Sequence, residues 1–411
     1  MNTPLLPRVE SEIAPVSQII THRPGREIDR LTPENKEHLL FDELLWVQKA
    51  QEEHDEFTAM LAQNSVEVLD FRTLLAETLA VRQAREYVLT QTFDERVFGH
   101  ILADTFREYA AGLRPAELAD LVIEGMTKGE LNERVGAVNT PVLNTKPEDY
   151  LVLSPLPNHY FTRDTSCWIY GGVAVSAMQK PARVREVVNV TAVYRFHPRF
   201  ADAGFSFWTG GLADGAATVE GGDVEVIGNG AVLVGLGERT SPQGMERLAS
   251  HLFAAHAARQ VIGIHTSALR SQMHLDTVLT MVDEGTFVKY GNLGMLPTTV
   301  LTPRGDNGGY SVKTHPGEEM HQVIAAALGL DSLRVLSTPT DSASAARDQW
   351  NDACNFLTLR PGVVVGYDRN VTANEYLQSQ GIEVVAVPGN ELGRGRGGAR
   401  CMSCPTVRPA A

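Results

Sequence analysis

The chain is short of cysteine, of positive charge and of long apolar runs. Four cysteines occur in 411 residues, namely Cys167, Cys354, Cys401 and Cys404. That is no disulfide framework. Acidic residues outnumber basic ones and the formal charge is −14. A nucleic-acid binder is normally basic, so no nucleic-acid partner is expected; a cationic substrate is compatible with this charge. No apolar run approaches the ~18 residues of a membrane span. Met1-Asn2-Thr3-Pro4 opens without the basic and apolar blocks of a secretory signal. The expectation is a cytoplasmic protein with no membrane partner. The length exceeds what one ordinary core supports, so two domains, or one large domain with an insertion, are expected.

What is present is a mixture of short strands and helices. Val16–Thr21 and Val66–Leu69 read as strands. Thr32-Pro33-Glu34 is a helix-start signal, and Glu37 to Gln63 should hold one long or two short helices. From about Leu74 to Arg134 the texture is rich in Ala, Leu, Glu and Arg. Its spacing predicts helices over Leu79–Thr90, Glu95–Ala111 and Pro115–Gly125, a helical insertion. After Tyr150 strands and glycine turns take over. Trp168–Val175 and Val187–Phe196 are β-rich, and Val224–Ile227 and Ala231–Leu236 flank the hairpin signal Gly228-Asn229-Gly230. A helix over Pro242–Ala257 and a strand at Val261–Ile264 follow. The order recurs with Val363–Tyr367, a helix near Asn374–Gln380 and Glu383–Val387, and Gly317–Leu328 and Leu333–Leu336 give another helix and strand. This suggests repeated ββαβ modules. Glu284–His315, rich in Gly, Thr and Pro, reads as loops.

The chemistry-bearing residues fall in clusters. Glu391-Leu392-Gly393-Arg394-Gly395-Arg396-Gly397-Gly398-Ala399-Arg400-Cys401 places a cysteine in a loop of glycine and arginine. Nearby positive charge favours the thiolate, the nucleophilic form. Gly393-x-Gly395-x-x-Gly398 matches a dinucleotide fingerprint, but a cysteine pair and Pro405 stand where its helix should open. Cys401-x-x-Cys404 has no second Cys or His pair, so structural zinc is not expected. Asn158-His159-Tyr160-Phe161-Thr162-Arg163-Asp164 suits either a ligand pocket or a capped turn. Glu220-Gly221-Gly222-Asp223 permits a tight bend with two carboxylates near one spot, or a simple bulge. His274-Leu275-Asp276, read as a strand, puts His and Asp on one face with Leu275 opposite. Arg183 and Arg239 follow strand ends, where an arginine holds a carboxylate or is merely solvated. One Cys, one His, several carboxylates and several arginines suit attack of sulfur on a cationic amidine carbon.

The chain resembles the arginine deiminases, among the guanidino-group modifying enzymes, nearly end to end. The matching stretches are Pro24-Gly25 with Arg30-Leu31-Thr32-Pro33, Leu39-Leu40-Phe41-Asp42, Phe161-Thr162-Arg163-Asp164-Thr165, Trp168-Ile169-Tyr170-Gly171-Gly172 and Glu220-Gly221-Gly222-Asp223. They continue with Met273-His274-Leu275-Asp276-Thr277, Gln349-Trp350-Asn351-Asp352, Glu391 to Gly398 and Cys401-Met402-Ser403. Departures occur at Ala399-Arg400, Asp341–Ala346 and Ala14-Pro15, none at a matched catalytic position.

The resemblance implies an α/β fold, a five-bladed ββαβ propeller of pentein type with an inserted helical domain. The propeller would comprise residues 1–73 and 150–411, and the insertion residues 74–149. It implies hydrolysis of L-arginine to L-citrulline and ammonia without metal or organic cofactor, in a homo-oligomer, dimer or tetramer. Cys401 would be the nucleophile and His274 the general acid and base. Asp164 and Asp276 would grip the guanidinium, and Glu220 would assist the proton transfers. Arg183 and Arg239 would hold the α-carboxylate. Asn158, Phe161 and Leu40 would line the pocket, Arg396 would belong to a loop that closes over it, and Cys404 would be a bystander. Carboxylates around Cys401 should raise its pKa, so the thiolate is expected to form when the cationic substrate arrives. The alternatives are action on a related guanidino compound, by hydrolysis or amidino transfer, and a non-catalytic arginine binder.

Overall fold

The computed structural model describes residues 6–410; the Met1–Pro4 opening lies outside them. Among the described residues one arrangement recurs five times: two antiparallel strands, a helix, and a third strand parallel to the second. Ser166–Ile169 and Gly172–Val175 pair antiparallel, and the helix Val184–Phe196 leads to Ser206–Gly210, parallel to Gly172–Val175. Val224–Gly228, Ala231–Leu236, the helix Pro242–Ala254 and Gln260–His265 repeat it. So do Leu279–Asp283, Thr286–Lys289, Met320–Leu328 and Arg334–Leu336. Leu357–Arg360, Val363–Tyr367, Val371–Ser379 and Glu383–Val387 are the fourth set. The fifth is assembled from both ends of the sequence. Cys404–Arg408 pairs antiparallel with Gln18–Thr21, and the helix Val47–Gln63 leads to the parallel strand Glu67–Asp70.

Between the fifth and first modules the chain forms the helices Phe71–Leu79, Arg82–Thr92, Glu95–Phe98, His100–Ala111, Pro115–Glu124 and Lys128–Val135. Asp70 caps the first by accepting from the Thr73 amide, and Thr127 with Glu130 forms a capping box on the last. The expected helix over Glu95–Ala111 is two helices. Gly99 at φ +76° breaks it, a conformation that favours glycine. These helices do not pack apart from the sheets. Phe93, Phe106 and Leu118 belong to one buried cluster with Trp168, Val173 and Tyr194.

Four further expectations differ from the structure. Val187–Phe196 is helical, not a strand. Residues 186–194 are all buried, so the run shows no polar face that would reveal its period. It packs between the sheet and the helices Phe71–Leu79 and Arg82–Thr92, and this burial overrides the β preference of its valines. Thr32-Pro33 does not start a helix; residues 33–40 form turns and the helix begins at Val47. There the Asn35 side chain accepts from the Thr32 amide and donates to the Arg30 carbonyl, competing with the helical ladder. Leu40, at φ +68°, closes the turn. Within Glu284–His315 the structure has the strands Thr286–Lys289, Thr298–Pro303 and Tyr310–His315. The last two extend the second sheet; Thr298–Pro303 is only partly buried and the edge strand Tyr310–His315 is largely exposed, which leaves little hydrophobic pattern to read. Finally, His274-Leu275-Asp276 is not a strand. His274 is extended and Leu275–Thr277 is a 3-10 turn.

Candidate active site

Cys401 lies just before the strand Cys404–Arg408 and is buried. Its amide donates to Asn355 Oδ1 at 3.1 Å, and its carbonyl accepts from the Arg163 amide at 3.1 Å. The loop before it is glycine-rich because the approach is close. An added Cβ on Gly397 would lie 2.9 Å from Cys401 Cβ, and one on Gly398 would lie 2.8 Å from the Asn355 carbonyl oxygen. Neither glycine has positive φ, so space rather than dihedral freedom dictates glycine here.

Four other predicted residues converge on this sulfur's surroundings. Asp276 is nearest, its Oδ2 3.7 Å from Cys401 Sγ. His274 Nε2 sits 2.8 Å from Glu220 Oε2, and its Nδ1 sits 3.5 Å from Asp164 Oδ1. That Asp164 oxygen is buried without a hydrogen-bond partner among the described residues. The two acids of Glu220-Gly221-Gly222-Asp223 serve different partners. Glu220 faces His274, whereas Asp223 accepts from Thr240 Oγ1 at 2.6 Å and from the Leu275 amide at 2.9 Å. Asp223 therefore holds the 3-10 turn that presents both His274 and Asp276.

Gly222 is packed against this arrangement. A Cβ there would lie 2.5 Å from His274 Nδ1 and 2.9 Å from Asp164 Oδ1. Displacing such groups by about 1 Å costs on the order of 10²-fold in rate. Gly222→Ala is expected to lower kcat/KM to that extent. Gly171→Ala, where an added Cβ meets nothing within 4 Å, should leave it unchanged. Comparison of the two variants in a steady-state assay checks this; equal activity would refute it.

The electrostatics separate the groups. Burial alone would push His274 down, but Asp164 and the Glu220 hydrogen bond outweigh it and hold the imidazole up at about 9. Glu220 is pulled down to about 2: burial opposes this, and Arg239 and His274 prevail. Burial together with Asp276, Asp164 and Asp352 pushes the Cys401 thiol well above its ordinary value, against the pull of Arg400. At neutral pH the resting site thus holds an imidazolium and a neutral thiol. His274 is expected to titrate near 9 when its imidazole resonances are followed by NMR, and Glu220→Gln should lower that value. Because the folded value is raised from the ordinary 6.5, the associated stability is fully present below about 6.5 and is lost as pH rises through about 9. Titration of His274 at 6.5 or below would refute the assignment.

The predicted binding residues all border one small cavity, though not all in the expected manner. Leu40, Asn158, Phe161, Arg183, Arg239 and Arg396 line it with Asp164, His274 and Cys401. Its volume is about 20 Å³, room for about one water. Arg183 already holds carboxylates, with Nη1 2.5 Å from Asp164 Oδ2 and Nη2 2.9 Å from Glu186 Oε2. Arg239 donates to Glu220 at 3.3 Å and Glu238 at 2.9 Å, while its Nη2 faces Met273 Sδ at 3.7 Å. The Asn158 amide donates to the Leu39 carbonyl. Arg396, at φ +67°, stacks its guanidinium 3.5 Å from the Trp350 ring centre, and none of its nitrogens has a hydrogen-bond partner among the described residues.

Two contributors are absent from the sequence-based candidates. Arg400 lies fully buried behind the site and donates to Asp276 Oδ2 at 2.7 Å, to Glu12 at 3.1 Å and to the Val224 carbonyl at 2.7 Å. Its place immediately before Cys401 was the signal available. Arg270 donates to the Leu40 carbonyl at 2.9 Å and to Asp42, tying two edges of the cavity. Nothing in its local sequence distinguishes it from a solvated arginine.

Comparison with solved structures places the fold. The chain is similar to SxtG, an amidinotransferase from Microseira wollei in the saxitoxin biosynthetic pathway. The identity is 12% and the TM-score 0.56, with 100% of this chain and 99% of that one covered. It is similar to the N-terminal domain of ArgZ, an arginine dihydrolase from the ornithine–ammonia cycle in cyanobacteria, at 12% identity and TM-score 0.54, covering 95% and 98%. AgrE, solved with ornithine and NAD+, matches at 12% identity and TM-score 0.55; the match covers 96% of this chain and 40% of the longer AgrE chain. At these identities the likeness shows the fold alone, the α/β pentein fold. Within it, residues 37–408 match the sequence model of the arginine deiminase family, and the chain belongs to that family.

Proposed function

We propose that the protein hydrolyses the guanidinium of L-arginine to give L-citrulline and ammonia, with Cys401 as nucleophile. The observation that carries this reading is the convergence of Cys401, His274, Glu220, Asp164 and Asp276 in a buried site, with Asp276 3.7 Å from the sulfur. Asp164 and Asp276 suit a cationic, planar, multiply donating group. The unpartnered Asp164 Oδ1 is a ready acceptor for a substrate N–H.

Arg183 occupies Asp164 in the resting site, so substrate binding exchanges one guanidinium for another. The α-carboxylate is received by Arg239 Nη2 and by the displaced Arg183, beside Asn158, Phe161 and Leu40. The substrate's positive charge among Asp164, Asp276 and Cys401 favours loss of the thiol proton. The thiolate adds to the guanidinium carbon. The C–N bond then breaks, and the imidazolium of His274 gives the departing nitrogen its proton as ammonia leaves. Neutral His274, supported by Glu220, takes a proton from water, which attacks the thiouronium carbon. The C–S bond breaks, leaving the ureido group of citrulline.

A site of about 20 Å³ does not admit arginine, so the lining must move. Arg396, held by stacking rather than hydrogen bonds, belongs to the loop that closes. The five modules are read as propeller blades, residues 1–73 and 150–411, with residues 74–149 as the insertion. The protein is assigned to the cytoplasm as a homo-oligomer that works without a metal or organic cofactor. A colorimetric ureido-group assay with arginine, on the wild type and Cys401→Ala, tests the reading. Citrulline from the wild type alone supports it. No product from arginine, with turnover of another guanidino compound, moves the assignment to that substrate.

A further inference from the structure

A second cavity, of about 920 Å³, lies where the helices Arg82–Thr92 and Glu95–Phe98 meet the helix Val184–Phe196. Its volume is that of a small-molecule site. It shares no lining residue with the cavity beside Cys401. Tyr87, Phe98, Leu102 and Val188 give it an apolar wall.

The charges in that wall oppose those of the chain as a whole. Arg96, Arg185 and Arg195 stand against the single acid Asp94, in a protein of net charge −14. Arg96 is engaged by Asp94 at 2.9 Å. Among the described residues Arg185 reaches only the Ser154 carbonyl through Nη2, and its Nη1 is buried without a hydrogen-bond partner. Burial with no ion pair pulls its guanidinium down to about 10, Glu186 offsetting part of this. Arg195 lies against the Phe207 ring, 5.7 Å from its centre. It is about 15 Å further along the same helix, so it sets the sign of the field at the far end and cannot share one headgroup with Arg185.

We propose that this cavity binds a small amphipathic anion, its carboxylate held by Arg185 and its hydrocarbon body against the Tyr87, Phe98 and Leu102 wall. An unpaired, partly desolvated guanidinium gains a charge-assisted partner in this way, and the apolar body leaves water. None of the groups assigned to the reaction at Cys401 takes part.

Isothermal titration calorimetry of the full chain with octanoate, and with 1-octanol as the uncharged comparison, tests the proposal. Wild type should bind octanoate saturably. Arg185→Leu should weaken octanoate at least about tenfold, the worth of one charge-assisted hydrogen bond, and leave 1-octanol binding unchanged. Ala213→Trp, at an exposed lining position, should block both ligands while circular dichroism remains that of wild type. The proposal is overturned if octanoate shows no saturable binding at millimolar concentration, or if Arg185→Leu binds it as wild type does. Loss of both ligands in Arg185→Leu, or undiminished binding in a folded Ala213→Trp, also overturns it.

Discussion

Cys401→Ala is expected to eliminate citrulline formation, a loss on the order of 10⁴-fold or more in kcat. In the proposed reaction the sulfur forms the covalent bond to the guanidinium carbon; Asp276, 3.7 Å from it, is tied to Arg400 at 2.7 Å. The substitution removes no ion pair, so substrate binding should survive, and arginine affinity measured by calorimetry should change little. A companion measurement separates resting from loaded enzyme. Burial and three carboxylates push the free thiol well above its ordinary value, so iodoacetamide should alkylate Cys401 slowly at neutral pH. A small guanidinium salt that leaves the sulfur uncovered should accelerate the alkylation. Rapid alkylation of free enzyme, or residual turnover by Cys401→Ala, would contradict the assignment.

Arg400→Leu is expected to destabilise the fold by about 3–5 kcal/mol, the cost of leaving a buried carboxylate without its cation. Asp276 would be stranded, and Glu12 would be left with Arg163 at 3.5 Å as its ion-pair partner. Glu12 now lies at about 2: burial raises it, and Arg400, Arg163 and Arg408 overcome that. Its stabilising contribution is present above its unfolded value and is lost as pH falls through about 2. Asp276 is already raised by burial despite Arg400. Without that arginine it should be protonated nearer neutral pH, and kcat/KM should fall with it. Arg400→Lys should not restore either property, because three differently placed acceptors are served by one planar fork. Wild-type midpoints in chemical denaturation for Arg400→Leu would refute the role.

Much of the site was legible, but through local glycine and charge patterns more than through secondary structure. Gly221-Gly222 between two acids correctly signalled a bend, while the division of labour between Glu220 and Asp223 was not readable. His274 and Asp276 were identified from an i, i+2 strand relation that does not exist; a 3-10 turn brings both to the site, and Leu275 goes into the core. The valine-rich helix Val184–Phe196 was misread because burial on nearly every side erases the helical period. The edge strand Tyr310–His315 was missed for the opposite reason, since exposure removes the apolar alternation, and Thr298–Pro303 beside it is only partly buried.

By itself the sequence determined the residue types of the site, the hairpin, helix and strand of the second module, and the family. Each of these depends on near neighbours in the chain. The tertiary structure alone decided which charges neutralise which. Arg183 faces Asp164 across 19 residues, Arg239 faces Glu220 across 19, and Arg400 reaches Glu12 across 388. The state of Cys401 follows from that pairing and from burial, because in a desolvated site the balance of unscreened charges sets protonation. The local loop alone reads as an activated cysteine among arginines; the carboxylates expected around it, and the burial that the fold adds, make it a suppressed thiol.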